Sequence, residues 1–406
     1  MSKCCILGLG YIGLPTAAVL AQAGHNVLGV DINEAIVSSV NRGQSHIIEP
    51  DLDNLLTTSV SHDLISASTQ PTFADVFIIT VPTPLKPSSP HPRPDTDFVF
   101  AAIRSIIPYL QQGNLVIIES TCPVGTTDSV ADYIFSSSPF SKHDLHLAYC
   151  PERVLPGNIL HELVHNDRVI GGLTSQATRK AVQFYSTFCE GTLHSSSSRM
   201  AEFVKLAENS YRDVNIAYAN ELSLLCHDLG LDVWQAINLS NLHPRVNILR
   251  PGCGVGGHCI AVDPWFLSSA NPLHSKLIQT SRHVNDNKSL WVLSEIGRRV
   301  ELLVSALGRP PVIGCLGLAF KPDVDDLRES PALLITTELI KSGYEVLVCE
   351  PHITEYPLFP LHSLEHVCAN ADLLVLLVGH SSFRQADLAG SSVFDLCGLL
   401  SDQPSA

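Results

Sequence analysis

The segment that most constrains the fold is CCILGLGYIGLPTAAVLAQAGHNVLGVDIN, residues 4–33. It predicts a strand over Cys4–Leu7, a glycine turn, a helix over Leu14–Ala23 and a second strand over Val27–Val30, which together form a βαβ unit. Two further runs, ADVFIITVPTP and NLVIIEST, are continuously apolar and are typical of parallel strands buried on both faces. The N-terminal part is therefore predicted to be a doubly wound α/β domain.

The same pattern returns near the C-terminus. SGYEVLVCEP reaches Glu350 where AGHNVLGVDI reaches Asp31, and ADLLVLLVGH resembles ADVFIITVPT. The fold class predicted is α/β, with two Rossmann-like doubly wound domains joined by a helical middle segment. The serine run of HSSSSR marks the first boundary, and the predicted domains are residues 1–195, 196–305 and 306–406.

Proline dominates the segment PTPLKPSSPHPRPD, residues 82–95, which has six prolines in fourteen positions. Proline lacks the amide hydrogen that helices and ladders need. This segment is therefore predicted to be a surface loop without regular structure.

Composition excludes several function classes. The net charge is -15 and no Lys/Arg-rich run occurs, which argues against nucleic acid or an anionic membrane surface as partner. No apolar run approaches the ~18 residues of a membrane span, and the chain enters a strand at once, which predicts a cytoplasmic protein. The 12 cysteines are scattered without a CxxC pair, so most are expected to be core thiols and no metal site is expected.

The glycines Gly8, Gly10 and Gly13 form a GxGxxG turn between a predicted strand and a helix. Such a turn brings backbone amides to a pyrophosphate at a helix N-terminus. Asp31 ends the next strand, where a carboxylate accepts hydrogen bonds from a ribose diol and repels a 2′-phosphate. The expected cofactor is NAD rather than NADP.

A second glycine-rich stretch, GVGGHCIAVDPW, surrounds Cys259. In a dehydrogenase, a thiol can trap an aldehyde as a thiohemiacetal, and a second oxidation then gives a thioester. The glycines are expected to leave room for a sugar or cofactor, and Asp263 could position the hydrolytic water. The alternative is that Cys259 is a buried loop thiol beside His258.

The predicted helix after the serine run carries Lys205, Asn209 and Arg212 on one face, opposite an apolar stripe with Phe203 and Ala207. The polar face is either simply solvated or a platform on which Lys205 stabilises a developing alkoxide or acts as base. Further basic residues, which are either surface charges or contacts to an anionic ligand, are His243, Arg245, Arg250, Lys321 and Arg328.

Seven motifs in order make the chain resemble the UDP-glucose/UDP-N-acetylmannosamine dehydrogenase family over essentially its whole length. They are GLGYIGLP, VPTP, ESTCPVGTT, PERVLPG, KLAENSYRDVNIAYANEL, GVGGHCIAVDPWF and GLAFKPDVDDLRESP. The forms PERVLPG and GGHCIAVDPWF are most similar to the branch that oxidises UDP-N-acetyl-D-mannosamine to its uronate with two NAD. The resemblance implies an NAD-binding first domain, a middle domain that makes a homodimer or larger oligomer, and a C-terminal UDP-sugar-binding domain.

The resemblance also implies roles for individual residues. Those expected at the reacting centre are Cys259 as nucleophile, Lys205, Asn209, Asp263, Glu152 and Thr121. Those expected to bind cofactor are Gly8, Gly10, Tyr11, Ile12, Gly13, Asp31, Thr83, Thr121 and Arg328. Those expected to hold substrate are Arg153, Val154, Lys205, Asn209, Arg212, His243, Arg245, Gly256, Phe320 and Lys321.

One position departs from the family pattern. The family usually has a basic residue two positions after an aspartate near the C-terminus, where this chain has Cys397 in VFDLCGLL.

Three alternative functions stay open: a UDP-glucose or UDP-N-acetylglucosamine 6-dehydrogenase, a catalytically silent nucleotide-sugar-binding protein, and a simple two-electron alcohol dehydrogenase.

Overall fold

A computed structural model describes residues 1–86, 92–155, 157–385 and 392–400. Its internal contacts divide the chain into two compact units. The first comprises residues 1–208 with 265–270, and the second comprises residues 209–264 with the chain from 271 onward.

The first unit is built on an eight-stranded sheet with the order β10-β9-β8-β7-β4-β1-β2-β3. Neighbouring strands are parallel except for β8 and β9, which pair antiparallel. The strands of this unit are β1 (Lys3–Leu7), β2 (Asn26–Val30), β3 (Ile65–Ser68), β4 (Val76–Ile79), β5 (Leu85–Lys86), β6 (Arg93–Pro94), β7 (Leu115–Ile118), β8 (His146–Tyr149), β9 (Arg168–Gly172) and β10 (Leu193–Ser197).

Helices cover both faces of this sheet. Along β4, Ile78 belongs to one buried cluster whereas Phe77 and Ile79 belong to the other, so alternate side chains enter two separate cores. This accounts for the continuously apolar strands. The helices of this unit are α1 (Gly13–Gln22), α2 (Glu34–Asn41), α3 (Leu52–Ser61), α4 (Asp97–Ile106), α5 (Thr126–Ser137), α6 (Ile159–His165) and α7 (Ser175–Tyr185), with a 3-10 turn at Ile107–Tyr109.

Two long helices come between the first and the second sheet in the sequence. Helix α8 (Ser198–Leu229) and helix α11 (Lys276–Leu307) each have 32 residues. The division between the two units falls within α8, after Glu208. In the sequence, helices α9 (Val233–Ser240) and α10 (Asp263–Ala270) come between these two.

The second unit contains a four-stranded parallel sheet with the order β12-β11-β13-β14. Its strands are β11 (Ile313–Leu316), β12 (Val346–Cys349), β13 (Leu373–Leu376) and β14 (Ser392–Asp395), and its remaining helices are α12 (Pro331–Lys341) and α13 (Leu364–Asn370), with a 3-10 turn at Ser381–Gln385. The predicted α/β class with two doubly wound sheets is confirmed.

The internal similarity extends to hydrogen bonding. In the first unit the amide of Leu9 donates to Asp31 at 3.0 Å, and in the second the amide of Leu318 donates to Glu350 at 2.7 Å. Each carboxylate thus holds the turn after the first strand of its sheet. Glu350 also accepts from the amides of Ala319 and His352, and its Oε2 lies 3.1 Å from the Nε2 of the buried His380.

One prediction about a loop was wrong. The proline-rich segment does form a ladder at its ends, since β5 and β6 pair antiparallel with Leu85 opposite Pro94 and Lys86 opposite Arg93. A two-residue pairing tolerates proline because few ladder amides are needed; residues 87–91 lie outside the described part. The serine run forms an edge strand, since Leu193–Ser197 pairs in parallel with β9, and helix α8 begins directly after it at Ser198.

No helix within the described residues is both long and apolar enough to cross a membrane.

Candidate active site

The GxGxxG turn has the geometry of a dinucleotide cradle. Gly8 has φ +97°, and a Cβ on Gly13 would lie 1.8 Å from the carbonyl oxygen of Gly8, so both positions require glycine. A Cβ on Gly10 would meet no heavy atom within 4 Å, which leaves open space in front of the turn at the start of α1. The turn has room for a pyrophosphate, and the residues present fit NAD.

Residues beside the turn support this geometry. The Oδ1 of Asp31 accepts the amide of Asn33 at 2.9 Å, which fixes the carboxylate at the end of β2. The hydroxyl of Thr80 donates to the carbonyl oxygens of Leu7 at 3.0 Å and Gly8 at 2.7 Å. Thr80 therefore holds the first glycine from the neighbouring strand.

Tyr11 and Val154, one expected to bind cofactor and the other substrate, pack against the same small buried cluster. Both are partly buried on a core formed by Val19, Ile159 and Leu163. The PERVLPG segment, whose Pro156 lies outside the described residues, is thus anchored next to the glycine turn.

Two buried glutamates hold loops of the first unit. Glu49 accepts the amides of Gly157 at 2.8 Å and Ile159 at 2.6 Å, at the start of α6. Glu202 on α8 is fully buried and accepts the amides of Gly125 at 2.6 Å and Thr127 at 2.8 Å, and the Thr127 hydroxyl at 2.6 Å. Glu202 thereby ties the segment that contains Thr121 to the helix that carries Lys205; Thr83 and Thr121 are both half-buried.

Glu152 and Arg153 are adjacent but differently placed. Glu152 is buried, and its Oε2 lies 3.0 Å from Nη1 of the buried Arg168. The Arg153 guanidinium pairs with Glu208 at 2.7 Å and donates to the carbonyl oxygen of Asp167. A substrate phosphate would have to compete with these partners for Arg153.

The predicted polar face of α8 is buried at Lys205 and exposed at Arg212. Lys205 is 8% exposed, whereas Phe203, predicted to lie on the opposite, apolar stripe, is 48% exposed. The assignment of faces was therefore wrong for this turn of the helix. The low exposure excludes the alternative that the Lys205 side chain is simply solvated. Burying a lysine costs free energy unless the side chain is paired or functional.

The structure excludes the alternative that Cys259 is a buried loop thiol. All 12 cysteines lie in the described part of the chain, and among them Cys259 alone is exposed. Its carbonyl oxygen accepts the amides of Val262 at 3.1 Å and Asp263 at 2.8 Å, which makes a tight turn into α10.

Three of the four glycines of this loop do not leave empty space, contrary to the prediction, whereas a Cβ on Gly252 would lie 3.9 Å from the nearest atom, the carbonyl oxygen of Gly254. A Cβ on Gly256 would lie 2.6 Å from the carbonyl oxygen of Glu329, and one on Gly257 would lie 2.9 Å from the Phe320 ring. A Cβ on Gly254 would lie 2.8 Å from Ser289 and 3.0 Å from Pro331. The amide of Gly257 donates to the carbonyl oxygen of Arg328 at 3.0 Å. The glycines therefore permit close packing against residues 320–331.

Two of the predicted polar partners do meet. The Nδ2 of Asn209 donates to the Oδ2 of Asp263 at 2.5 Å, and Asp263 is buried. This contact places the carboxylate of α10 at a defined position one turn after Cys259.

A buried polar network joins α8 and α11 below this loop. Asn220 accepts the amide of Gly252 at 2.9 Å and donates to Asn285 at 2.9 Å. Asn285 donates to Asp213 at 2.8 Å, and Arg282 donates to the same carboxylate at 2.6 Å. Burial raises the pKa of Asp213, and the Arg282 charge opposes this rise. The network fixes where the glycine-rich segment begins.

Most of the predicted cations lie at the surface. Arg212, His243 and Arg245 are exposed. The guanidinium of Arg328 binds the carboxylate of Asp326, with Nε 2.9 Å from Oδ1, and the Lys321 Nζ lies 5.8 Å from the Phe320 ring centre.

The turn at Cys397 lacks the family's cation but has another nearby. Cys397 Sγ lies 3.4 Å from Oδ1 of Asp395, and burial followed by the Asp395 charge raises the pKa of the thiol, which stays protonated. Arg250 Nη2 lies 3.4 Å from the carbonyl oxygen of Gly398, and the guanidinium carbon is 5.2 Å from the Trp234 ring centre. A guanidinium thus reaches the turn from a different segment.

One cluster of side chains has metal-ligand chemistry. Possible ligand atoms of Asp323, His352 and His380 all lie within 4.8 Å of one another. His380 Nδ1, however, accepts the amide of Asp323 at 2.9 Å, and its Nε2 faces Glu350. Both ring nitrogens already bind protein groups, so the cluster supports the loop after β11.

Comparison with protein families decides the identity of this arrangement. The models of the UDP-glucose/GDP-mannose dehydrogenase family match in order: the NAD binding domain over residues 2–189, the central domain over 199–287 and the UDP binding domain over 314–402. The chain belongs to this family. Its fold is the family's three-domain α/β fold, and it is an NAD-dependent dehydrogenase.

Individual members of the family are similar over nearly the whole chain. The UDP-N-acetyl-D-mannosamine dehydrogenase of Escherichia coli K12 is 49% identical over 397 residues, which cover 93% of this chain and 94% of that protein. The NDP-N-acetyl-D-galactosaminuronic acid dehydrogenase of Ralstonia nicotianae is 46% identical, covering 98% and 96%. The structure of the Pyrococcus horikoshii UDP-D-ManNAc dehydrogenase superposes with a TM-score of 0.90 at 37% identity, covering 99% and 97%.

Sequence reasoning missed several residues that hold the site. No sequence motif marks four of these residues, which are Thr80, Glu49, Glu202 and Arg168. The available signal was a polar or charged residue inside or next to an apolar run, as with Arg168 before VIGG and Glu119 after LVII.

Proposed function

We propose that the protein oxidises UDP-N-acetyl-D-mannosamine at C6 to UDP-N-acetyl-D-mannosaminuronate, with two NAD consumed per sugar. The observation that carries the proposal is the exposed Cys259 on a turn whose next residues place Asp263 against Asn209. A single thiol permits two successive oxidations because it can hold the aldehyde covalently. The relatives named for this substrate support the choice of sugar.

NAD, when bound, accepts the hydride in each of the two oxidations. Its holders are the glycine turn with Tyr11 and Ile12, Asp31 for the ribose, and Thr83, Thr121 and Arg328.

The chain's own groups perform the proton and acyl chemistry. The C6 hydroxyl gives its proton towards Lys205 or a water, and Asn209 holds the reacting oxygen. The Cys259 sulfur adds to the aldehyde and, after the second oxidation, carries the acyl group as a thioester. Water assisted by Glu152 and Asp263 then releases the acid.

Substrate binding is assigned to a set with both charged and apolar members. The proposed contacts are Arg153, Val154, Lys205, Asn209, Arg212, His243, Arg245, Gly256, Phe320 and Lys321. Arg250 supports phosphate binding at the turn where Cys397 replaces the family's cation, because its guanidinium already contacts Gly398.

A substrate panel tests the sugar. Purified protein is incubated with NAD and with the UDP derivatives of N-acetylmannosamine, N-acetylgalactosamine, N-acetylglucosamine and glucose, and reduced cofactor is followed by absorbance. The galactosamine derivative is included because of the relative named for a galactosaminuronic acid. Absence of turnover with the mannosamine derivative would reject the proposed substrate.

Counting reduced cofactor per sugar tests the mechanism. Two per sugar is expected, and one would indicate a simple alcohol dehydrogenase. Cys259→Ser is expected to abolish turnover while NAD binding is kept, and a normal rate in that variant would exclude the covalent intermediate.

Three further points belong to this proposal. The domains are residues 1–195 for NAD, 196–305 for oligomerisation and the Cys259 loop, and 306–406 for the UDP-sugar. The protein is a homodimer or larger through its middle helices. It works in the cytoplasm, where its 12 free thiols stay reduced.

A further inference from the structure

Glu152 shares its buried environment with three other side chains of the first unit. They are Glu119 after β7, Arg168 on β9 and Tyr185 on α7. Glu119 is 3% exposed and Tyr185 is fully buried, and the Tyr185 hydroxyl donates to Oε1 of Glu119. The guanidinium carbon of Arg168 lies 5.1 Å from the centre of the Tyr185 ring. We call Glu119, Glu152, Arg168 and Tyr185 the carboxylate cluster.

The charges of this cluster do not balance. Two carboxyl groups share one guanidinium, so one carboxyl must carry a proton or leave a net negative charge in an apolar interior, which is costly. The nearby Cys150, which is fully buried, does not compensate, because burial raises the pKa of its thiol to about 12.

The geometry indicates which carboxyl holds the proton. Glu152 lies against Arg168 at 3.0 Å and accepts the Arg153 amide at 2.7 Å. Glu119 accepts the Tyr185 hydroxyl at Oε1, and its Oε2 is buried without a hydrogen-bond partner among the described residues. Burial, and then the charge of Glu152, raise the pKa of Glu119 to about 7.

We propose that Glu119 is a positioning residue for the hydrolytic step. Glu119 holds a proton close to Glu152, and when Glu119 releases that proton, the ability of Glu152 to accept a proton from water increases. The inference rests on the proposed role of Glu152. A negative charge on a second carboxyl close by makes proton uptake by the first more favourable. Tyr185 and Arg168 determine when Glu119 is ionised.

Before water attacks, Glu119 loses its proton to solvent, which leaves Glu152 close to a second negative charge. The water oxygen bonds to the acyl carbon of the thioester, and one water proton passes to Glu152. The carbon–sulfur bond then breaks, with its electron pair going to the Cys259 sulfur. The proton on Glu152 is returned to sulfur or lost to solvent, which restores the cluster.

The test compares Glu119→Gln and Tyr185→Phe with the native chain. Thioester hydrolysis is followed in single turnovers from pH 6 to 9. The native rate is expected to rise about tenfold between pH 6 and 8, as for one group titrating near 7. Glu119→Gln is expected to flatten this rise to less than twofold. Tyr185→Phe is expected to move it to higher pH, because loss of the phenol donor disfavours the ionised carboxyl.

A second readout does not depend on turnover. Infrared difference spectra of the protonated carboxyl band should show one buried group titrating near pH 7, absent in Glu119→Gln and shifted upward in Tyr185→Phe. The control Glu190→Gln removes a carboxyl of the same unit that is 73% exposed, and it should leave both readouts as in the native chain.

The outcomes separate the two hypotheses. Two reduced cofactors per sugar with a pH rise unchanged in Glu119→Gln would overturn this inference and leave the proposed function intact. A uniform loss of rate at all pH values, with the rise retained, would mean that Glu119 is only structural. If no UDP-sugar yields two reduced cofactors, the proposed function fails, and the role of Glu119 fails with it.

Discussion

Replacing Glu202 by alanine is expected to destabilise the first unit strongly. The carboxylate is fully buried and accepts three hydrogen bonds, two from backbone amides and one from a hydroxyl, at the start of α5. The substitution leaves these three donors buried without an acceptor. At about 1 to 1.3 kcal/mol for each, the expected loss in the free energy of unfolding is about 3 to 4 kcal/mol.

Each of these hydrogen bonds contributes in the lower part of the usual range, because burial raises the pKa of Glu202 and so disfavours its ionised form. The substitution removes this unfavourable burial together with the hydrogen bonds. For a unit of about 200 residues, the loss corresponds to a fall of roughly 6 to 16 °C in melting temperature.

Calorimetry and denaturant unfolding measure this loss. Glu221→Ala is the matched control, because Glu221 lies on the same helix but is exposed, and its effect should stay within about 0.5 kcal/mol. Glu202→Gln should give an intermediate loss, since one amide oxygen still accepts. A loss for Glu202→Ala no larger than that for Glu221→Ala would refute the reasoning.

Three further substitutions test other parts of the structure. Gly13→Ala should destabilise the first unit because its Cβ would lie 1.8 Å from a carbonyl oxygen, whereas Gly10→Ala should leave the melting temperature unchanged and weaken NAD binding in calorimetric titration. Asp213→Ala should lower the free energy of unfolding by about 2 to 4 kcal/mol, because the buried Arg282 and Asn285 lose the carboxylate that both donate to, while Asp286 stays paired with Arg282; an unchanged denaturation midpoint would contradict this. For Glu350, burial alone would raise the pKa, but the His380 contact and backbone amides outweigh it and lower the pKa, so native stability should fall as pH drops below about 4.5. Glu350→Gln should remove this part of the acid dependence in unfolding curves.

The sequence predicted the sheets well because their signal is local. The strands β1, β2, β4 and β7 are continuous apolar runs, and the turn between β1 and α1 requires glycine for steric reasons at Gly8 and Gly13. The repeat of this pattern around Glu350 similarly predicted the second sheet, including the carboxylate that holds its first turn.

The remaining features depend on contacts distant in sequence. The faces of α8 were assigned from periodicity, which cannot show that Lys205 is buried and Phe203 exposed. The glycines before Cys259 were expected to give room to a ligand, but Phe320, Glu329 and Pro331 occupy that space. Arg168 supports Glu152 from a strand sixteen positions away, a pairing that no local pattern encodes.

The packing of the cysteine loop has a consequence for how such an enzyme can change. Gly256 and Gly257 fit against the Phe320 side chain and the backbone at Arg328 and Glu329, with no space for a methyl group. In the proposed function Phe320 and Lys321 hold the substrate and Cys259 is the nucleophile, so a mutation that reshapes residues 320–329 would also displace Cys259. Under that proposal, new substrate preferences are expected to arise through paired changes in both segments, or at positions outside this contact.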